Sequence, residues 1–111
     1  MAAYRTVEYL DRALSRRGDA AAARADAERI AAYLRERYQA EAIGIGSLFE
    51  ADRPFLERSD IDLVVSGIPQ GEYFAALSEA ADLTRFHLDL IPLEDANDLV
   101  RDTAARRGVR L

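Results

Sequence analysis

The segment from Asp60 to Ser66 constrains the fold of this chain more than any other stretch of its sequence. It is rich in β-branched and aliphatic residues and Gly67 follows it, which predicts a strand that ends at Ser66. One face of that strand would carry the apolar residues Ile61, Leu63 and Val65. Asp60 and Asp62 would share the opposite face, roughly 7 Å apart, at which separation two carboxylates can bind one cation.

A third acid and a Gly-Ser pair accompany two further strand-like runs. Asp89 lies within the run from Arg85 to Ile91, and the short run from Ala42 to Gly46 leads directly into Ser47. Glycine weakens a strand, so the two glycines of the second run indicate that another group approaches the backbone closely there. If the three runs are neighbouring strands, three acids and a phosphate-binding turn meet at one place.

Helical patterns occupy the N-terminal part of the chain. Apolar residues at three- and four-residue spacing predict a first helix from about Tyr4 to Arg17. Asp19 is a good N-cap for a second helix, from about Ala20 to Tyr38. The apolar stripe of the second helix consists of Ala23, Ala27, Ile30, Leu34 and Tyr38.

Two further helices are predicted in the C-terminal half. One runs from about Gly71 to Asp82 and should turn Phe74 and Leu77 inward. The other runs from about Glu94 or Asp95 through Ala105. Its apolar side would consist of Leu99, Val100, Thr103 and Ala104. After it, the last residues, 109–111, would form a short edge strand or fray.

The predicted order of elements, α-α-β-(α)-β-α-β-α, favours an α/β or α+β fold with a small mixed sheet covered mostly on one face. A chain of 111 residues is long enough for one domain. We divide it into an N-terminal helical pair over 1–40 and a core over 41–111 that carries the candidate catalytic acids.

Composition argues against several classes of protein. The formal net charge is −5, from 20 acidic and 15 basic residues, which argues against direct binding to nucleic-acid backbones. The absence of cysteine excludes disulfides, thiolate zinc sites and thiol nucleophiles. The sequence has neither a signal-like start nor a run of 18 apolar residues, so we expect a cytoplasmic protein without a membrane partner.

The candidate residues suit phosphoryl or nucleotidyl transfer. Mg²⁺ takes one or two carboxylates together with phosphate oxygens, and Asp60 and Asp62 can supply those carboxylates. Asp89 can bind a second ion or accept a proton from an attacking hydroxyl group. The hydroxyl of Ser47 and the N–H groups around it suit a phosphate. His87, the only histidine, either contacts substrate or is a partly buried polar residue.

Three stretches together carry a resemblance to a known family: Gly46-Ser47, then Ser59 to Val65, then His87 to Ile91. The chain is similar to the small stand-alone nucleotidyltransferase domains of the polymerase-β-like superfamily. More narrowly, it resembles the minimal nucleotidyltransferase (MNT) antitoxins that are encoded beside HEPN ribonuclease toxins. The resemblance extends from about Ile43 to Leu111.

The resemblance implies a mixed-sheet α/β fold. It also implies Mg²⁺-dependent transfer of AMP from ATP to a tyrosine of the cognate HEPN toxin, which neutralises the toxin. Asp89 would be a metal ligand or the base. The catalytic and metal-binding residues would be Asp60, Asp62 and Asp89, and the nucleotide-binding residues would be Gly46, Ser47 and Ser59.

The Gly-Ser turn departs from the family's pattern at Phe49–Ala51. Such proteins continue with a small residue, an arginine and a glycine. A glutamate that faces a triphosphate costs up to ~4 kcal/mol at about 4 Å and an effective dielectric near 20. The S-x-x-E pattern from Ser47 to Glu50 has the form of a capping box and predicts a short helix or a turn that begins at Ser47. Either Glu50 turns away to cap that helix, and Arg53 or Arg58 replaces the cation, or nucleotide binding is weak.

Two other functions stay open from the sequence. One is an antitoxin that neutralises its partner by binding alone, which the departure at Phe49–Ala51 and two apolar candidates for the surface, Tyr4 and Phe55, favour. The other is transfer of a nucleotide to a small molecule. The absence of a second domain to hold that molecule argues against this function.

Overall fold

The computed structural model describes residues 16–111. The elements there are α1 Ala20–Tyr38, β1 Glu41–Ile45, β2 Ile61–Ser66, α2 Tyr73–Ala81, β3 Leu88–Pro92, α3 Asp98–Arg107 and β4 Val109–Arg110. The helix predicted over 4–17 lies outside the described residues except for its last two positions. Those two are not helical, since Arg17 forms an isolated antiparallel bridge with Leu56. Within the described range, no helix has the length and apolar character needed to cross a membrane.

The first described helix has the bounds that the sequence predicts. The side chain of Asp19 accepts a hydrogen bond from the backbone N–H of Ala22 at 3.0 Å, which confirms it as the N-cap of α1. The helix ends at Gln39, which adopts the left-handed conformation with φ 59° and donates its N–H to the last turn. Ile30 and Leu34 of the predicted stripe are fully buried.

The strands form one mixed sheet in the order β3-β2-β1-β4. β1 pairs antiparallel with β2 and with β4, whereas β2 and β3 run parallel. In this register Asp62 lies opposite Ile45 on one side and Asp89 on the other. The sheet confirms the predicted mixed α/β fold, puts the strand of Asp62 in its interior, and shows that the last residues form an edge strand.

The larger part of the core lies between the sheet and the helices α1 and α2. The strands contribute to it Ile61, Leu63, Val65, Leu88 and Leu90. Burial of one such side chain contributes about 1.5–3 kcal/mol. Because strand side chains alternate, the same burial turns Asp62 and Asp89 to the opposite face, as the sequence predicts.

The helix α3 covers part of that opposite face. Val64 and Ile45 pack there against Ala104 of α3. Around them lie the partly buried residues Ile43, Ile91, Leu93 and Val100. This smaller apolar cluster shares its face of the sheet with the acids, so α3 and the candidate site lie on the same side of the molecule.

Three predicted orientations are wrong. Phe74 is 81% exposed and Leu99 is 74% exposed, although both were expected to face inward. In α2 the residues at inward spacing are Ala76 and Ala80, and Phe74 lies well away from that stripe around the helix. Phe55, expected at the surface, is 6% exposed and packs edge-on against another aromatic ring.

Some boundaries also differ from the prediction. β3 begins at Leu88 rather than Arg85, and β2 begins one residue after Asp60. The last helix begins at Asp98 because a short 3₁₀ turn, Leu93–Asp95, precedes it and Asn97 caps it. Such shifts of a few residues leave the placement of the acids unchanged.

Candidate active site

The parallel register of β2 and β3 brings the acids together. Asp62 and Asp89 are register partners, and Asp60 and His87 stand just before the two strands. The backbone N–H of Ile61 donates to the carbonyl of His87 at 2.9 Å, which holds the two strand starts side by side. Ligand atoms of Asp60, His87 and Asp89 all lie within 4.8 Å of one another.

His87 takes part in this cluster as an exposed residue. Its Nδ1 lies 3.4 Å from Oδ1 of Asp60, and its side chain is 69% exposed. The interpretation of His87 as a partly buried polar residue is therefore wrong. Its exposed ring beside a carboxylate can contact a ligand that approaches the acids.

The carboxyl group of Asp62 has a raised pKa. Burial raises its pKa to about 6, and the negative charge of Asp89, a hydrogen bond to Asp89 and the charge of Asp60 add to the rise. His87 acts in the opposite direction. The acids repel one another here, so a positive charge among them would relieve an unfavourable interaction.

The Gly46-Ser47 turn lies directly against Asp62. Gly46 has a φ of +86°, and a Cβ atom there would lie 3.0 Å from Oδ2 of Asp62. Glycine is the residue that tolerates both conditions. At Gly44 a Cβ atom would lie 2.4 Å from the ring of Phe49, which confirms the close approach predicted from the two glycines.

Of the short helix or turn predicted to begin at Ser47, the structure has the turn. Residues 47–49 form a turn, in which the N–H of Phe49 donates to the carbonyl of Gly46 at 3.0 Å. The physical reason is that Phe49 folds back over Gly44 into the core, where it is 8% exposed. A helix that continued from Ser47 would carry this ring elsewhere.

Glu50 does turn away, but toward arginines. Its Oε2 accepts from Nη1 of Arg53 at 2.7 Å, and its Oε1 accepts from Nη1 of Arg107 at 3.2 Å. The hydrogen bond from Arg53 is the first cause that lowers the pKa of Glu50, and burial acts against it. The side chain is 8% exposed. A negative charge at this position is thus already paired on both oxygens.

A cavity of about 340 Å³ adjoins the acids on the side of the turn. Its walls are formed by Ser47, Arg53, Pro54, Leu56, Arg58 and Ser59. Ser59 is held in place because its Oγ accepts a hydrogen bond from the N–H of Leu56 at 3.0 Å. The two serines predicted to bind nucleotide therefore share one cavity with both of the arginines that the sequence offers as a replacement cation.

Two residues near the site carry no local signal in the sequence. Arg107 belongs to α3, far along the chain from the Glu50 that it contacts, so only the fold reveals the pair. Tyr73 begins α2 and borders a larger cavity of about 570 Å³. Burial and then the charge of Asp89 raise the pKa of the Tyr73 hydroxyl, which places this residue within electrostatic reach of the acids.

The donor set fits a divalent cation. Carboxylate oxygens are the ligands that Mg²⁺ takes. Asp60 and Asp89 offer them within 4.8 Å of each other and of His87. Asp62 is hydrogen-bonded to Asp89 beside that group. Burial and then the repulsion from Asp89 and Asp60 raise the pKa of Asp62, and a bound cation would cancel the repulsion. His87 adds an imidazole nitrogen, a donor that Mn²⁺ or Zn²⁺ accepts more readily than Mg²⁺.

Comparison with known proteins gives likeness in structure alone. No protein-family model and no curated protein matches the sequence. Two crystal structures of the toxin-antitoxin pair MntA-HepT do match the fold. One has a TM-score of 0.58 at 16% identity, over 78% of this chain and 69% of that chain. The other, a mutant described as MntA-HpeT, has a TM-score of 0.60 at 17% identity, over 76% of this chain and 70% of that chain.

These likenesses define the class of fold. The chain shares the mixed α/β fold of these structural neighbours, which confirms the fold class predicted from the sequence. Asp62 and Asp89 occupy one face of the parallel pair β2–β3, beside a Gly-Ser turn.

Proposed function

We propose that this chain is a nucleotidyltransferase antitoxin that transfers AMP from ATP, with Mg²⁺, to a tyrosine of a cognate HEPN-type toxin. The observation that carries the proposal is the meeting of Asp60, Asp62 and Asp89 beside the turn at Gly46. The toxin partner is supported by the neighbours, both of which are toxin-antitoxin structures. One of them carries two Asp-to-Glu changes two positions apart, the spacing of Asp60 and Asp62.

Different side chains of the site bind the cation and the phosphates of ATP. Asp60, Asp62 and Asp89 hold Mg²⁺, which when bound neutralises charge on the phosphates. The hydroxyls of Ser47 and Ser59 and the N–H groups of the turn after Gly46 orient the triphosphate in the adjoining cavity. Ser59 directly precedes Asp60, and Ser47 follows the glycine that lies against Asp62, so one nucleotide can reach both the cavity and the acids.

The transfer exchanges one bond to phosphorus for another. The acceptor oxygen forms a bond to the α-phosphorus of ATP, and the bond from that phosphorus to the bridging oxygen breaks, so that pyrophosphate leaves. The proton of the acceptor hydroxyl passes to Asp89, whose side chain is exposed and can meet a group on another protein.

The test uses two labels. The protein is incubated with the product of the neighbouring gene and Mg²⁺, and with ATP labelled at either the α- or the γ-phosphate. We expect the α-label to appear on a tyrosine of the acceptor and the γ-label to stay in solution. Replacement of both Asp60 and Asp62 by Asn should abolish labelling, and Asp82→Asn, an exposed acid at the end of α2, should not.

Two results would contradict the proposal. Transfer of the γ-label would indicate a kinase, and equal labelling by the double Asn variant would exclude the acids from the reaction.

The second candidate function is an antitoxin that acts by binding alone. Phe55 no longer supports this function, because its ring is buried. Phe74 supports it instead, because 81% of this residue is exposed and can contact a partner. The experiment that separates the two functions is rescue of cells from the toxin by the Asp60→Asn/Asp62→Asn variant. Full rescue would favour binding alone, and loss of rescue with an intact complex would favour transfer.

A further inference from the structure

Glu50 has an arrangement that its role as a turn residue does not explain. It is a carboxylate with a side chain only 8% exposed, and each of its oxygens accepts from a different arginine. Arg53 comes from the same loop, whereas Arg107 comes from the end of α3. Two arginines on one buried carboxylate leave an excess of positive charge at this spot, although the whole chain carries −5.

Arg53 joins this trio to the cavity beside the acids. Its guanidinium contacts Glu50 through Nη1 at 2.7 Å, while the residue also borders the cavity of Ser47 and Ser59. A guanidinium has five N–H donors in a fixed plane, so one bond to Glu50 leaves donors for a second anion. The side chain is 54% exposed, which leaves it accessible from solvent.

We propose that Glu50 is a positioning residue that holds Arg53 at the cavity wall as the phosphate-binding cation, with Arg107 holding Glu50 in turn. The inference rests on the proposed function, because it assigns the cation of the same nucleotide site. It reverses the simple expectation that a glutamate in this turn weakens phosphate binding. Glu50 does not belong to the cavity lining, and both of its oxygens accept hydrogen bonds from arginines.

Arg107 gives the group of Glu50, Arg53 and Arg107 a net positive charge, which attracts an anion. A lone Glu50–Arg53 pair would be neutral and would offer a phosphate little beyond hydrogen bonds. The second arginine restores one positive charge to the group, and Arg58 lines the same cavity. A phosphate bonded by a guanidinium forms charge-assisted hydrogen bonds, which are roughly twice as strong as neutral ones.

The proposal and simple electrostatics predict opposite effects of Glu50→Gln on the affinity for phosphate. If Glu50 acts only through its charge, Glu50→Gln removes a repulsive carboxylate and tightens phosphate binding. If Glu50 positions Arg53, the same change frees the guanidinium to rotate and weakens binding. A positioned charge-assisted bond corresponds to about tenfold or more in affinity.

The experiment is calorimetric titration with inorganic tripolyphosphate in excess Mg²⁺, which needs neither an acceptor nor turnover. We expect Glu50→Gln to weaken binding about tenfold, and Arg53→Gln to weaken it at least as much. Glu50→Asp keeps the charge and should stay closer to the wild type than Glu50→Gln does. Arg106→Gln is the matched control, because Arg106 pairs within its own helix with Asp102 and should leave binding unchanged.

Folding is checked separately by thermal unfolding of each variant. If Glu50→Gln is too unstable to titrate, Arg53→Gln still decides the matter, since its side chain is more than half exposed. The proposal is overturned if Glu50→Gln binds as tightly as the wild type or more tightly. It is also overturned if Arg53→Gln has no effect, or if the wild type does not bind tripolyphosphate.

Failure of this inference is distinguishable from failure of the proposed function. Labelling of a partner tyrosine by ATP could persist while the Glu50 and Arg53 variants bind tripolyphosphate normally, which would overturn only the assignment of the cation. Conversely, tripolyphosphate binding that depends on Glu50 and Arg53 without any labelling would retain the phosphate site and refute transfer.

Discussion

Replacement of Asp62 by Asn should stabilise the metal-free protein. The pKa of Asp62 rises from 3.8 in a model peptide to about 6 in the fold, so the folded state binds the proton more tightly than the unfolded state does. Each pKa unit corresponds to about 1.36 kcal/mol. Because the carboxyl group is only partly buried and solvent screens it, we discount the full value to about 1–2 kcal/mol.

The sign of the pH dependence follows from that order of pKa values. Between about pH 4 and 6 the folded state holds more protons, so the stability of the wild type falls as the pH rises through this window. Above this pH window Asp62 is ionised in both states, and the full loss of folding stability from its raised pKa is present. Asn carries no charge, and Asp62→Asn should therefore gain stability at pH 7.5 and gain almost none near pH 4.

The assay is thermal unfolding of the wild type and the variant at both pH values without divalent ions. A gain of 1 kcal/mol corresponds to roughly 4–8 °C in a domain of this size. Asp82→Asn, at an exposed site, is the control and should shift the midpoint little at either pH. Mg²⁺ or Mn²⁺ should then stabilise the wild type, by about 2.7 kcal/mol at a hundred times Kd, and the Asn variant much less.

A destabilised Asp62→Asn variant at pH 7.5 would refute the reasoning, because it would mean that the carboxylate contributes more through its hydrogen bond than it costs through burial and repulsion. An equal gain at pH 4 would refute it too, since that gain could not come from ionisation.

Two further substitutions test the geometry. Gly46→Ala should cost about 1–3 kcal/mol in stability and weaken metal binding, because its φ is +86° and the new Cβ would meet Asp62. Gly71→Ala is its control, since no described atom lies within 4 Å of a Cβ there, and both can be compared by denaturant unfolding. Phe74→Ser should leave the free energy of unfolding within about 0.5 kcal/mol of the wild type, whereas Phe55→Ser should lower it by several kcal/mol, which the same unfolding curves would show.

The sequence predicts the acid part of the site because its signal is local. Side chains alternate along β2, so Ile61, Leu63 and Val65 lie on one face and Asp62 lies on the other. Because the face with Ile61, Leu63 and Val65 is buried, Asp62 can only point to the opposite side of the sheet. Asp89 follows by the same argument in β3. The parallel pairing of β2 with β3 sets Asp62 beside Asp89. This pairing belongs to the tertiary structure, and from the sequence it could only be assumed.

The phosphate part of the site depends on contacts that are distant in sequence. Glu50 and Arg107 meet only because α3 packs on the same face of the sheet as the acids. The pattern at Ser47 left a short helix and a turn open, and the turn forms because the ring of Phe49 packs on Gly44, a contact that the sequence pattern does not show. The inward orientation of Phe74 failed because small alanines, rather than the larger ring, fill the space under α2.

The interior position of β2 also determines where the chain can gain or lose residues. An insertion or deletion of one residue within β2 would turn its apolar side to water and its acids into the core, on a strand that is paired on both edges. The connection over 47–59 lies outside the sheet, where it is held by the packed rings of Phe49 and Phe55, by the bridge of Leu56 to Arg17 and by the ion pairs of Glu50. In a scan of single-residue insertions and deletions, changes within β2 should therefore unfold the chain, whereas changes in this connection should leave the acids in place and disturb only the cavity that it lines.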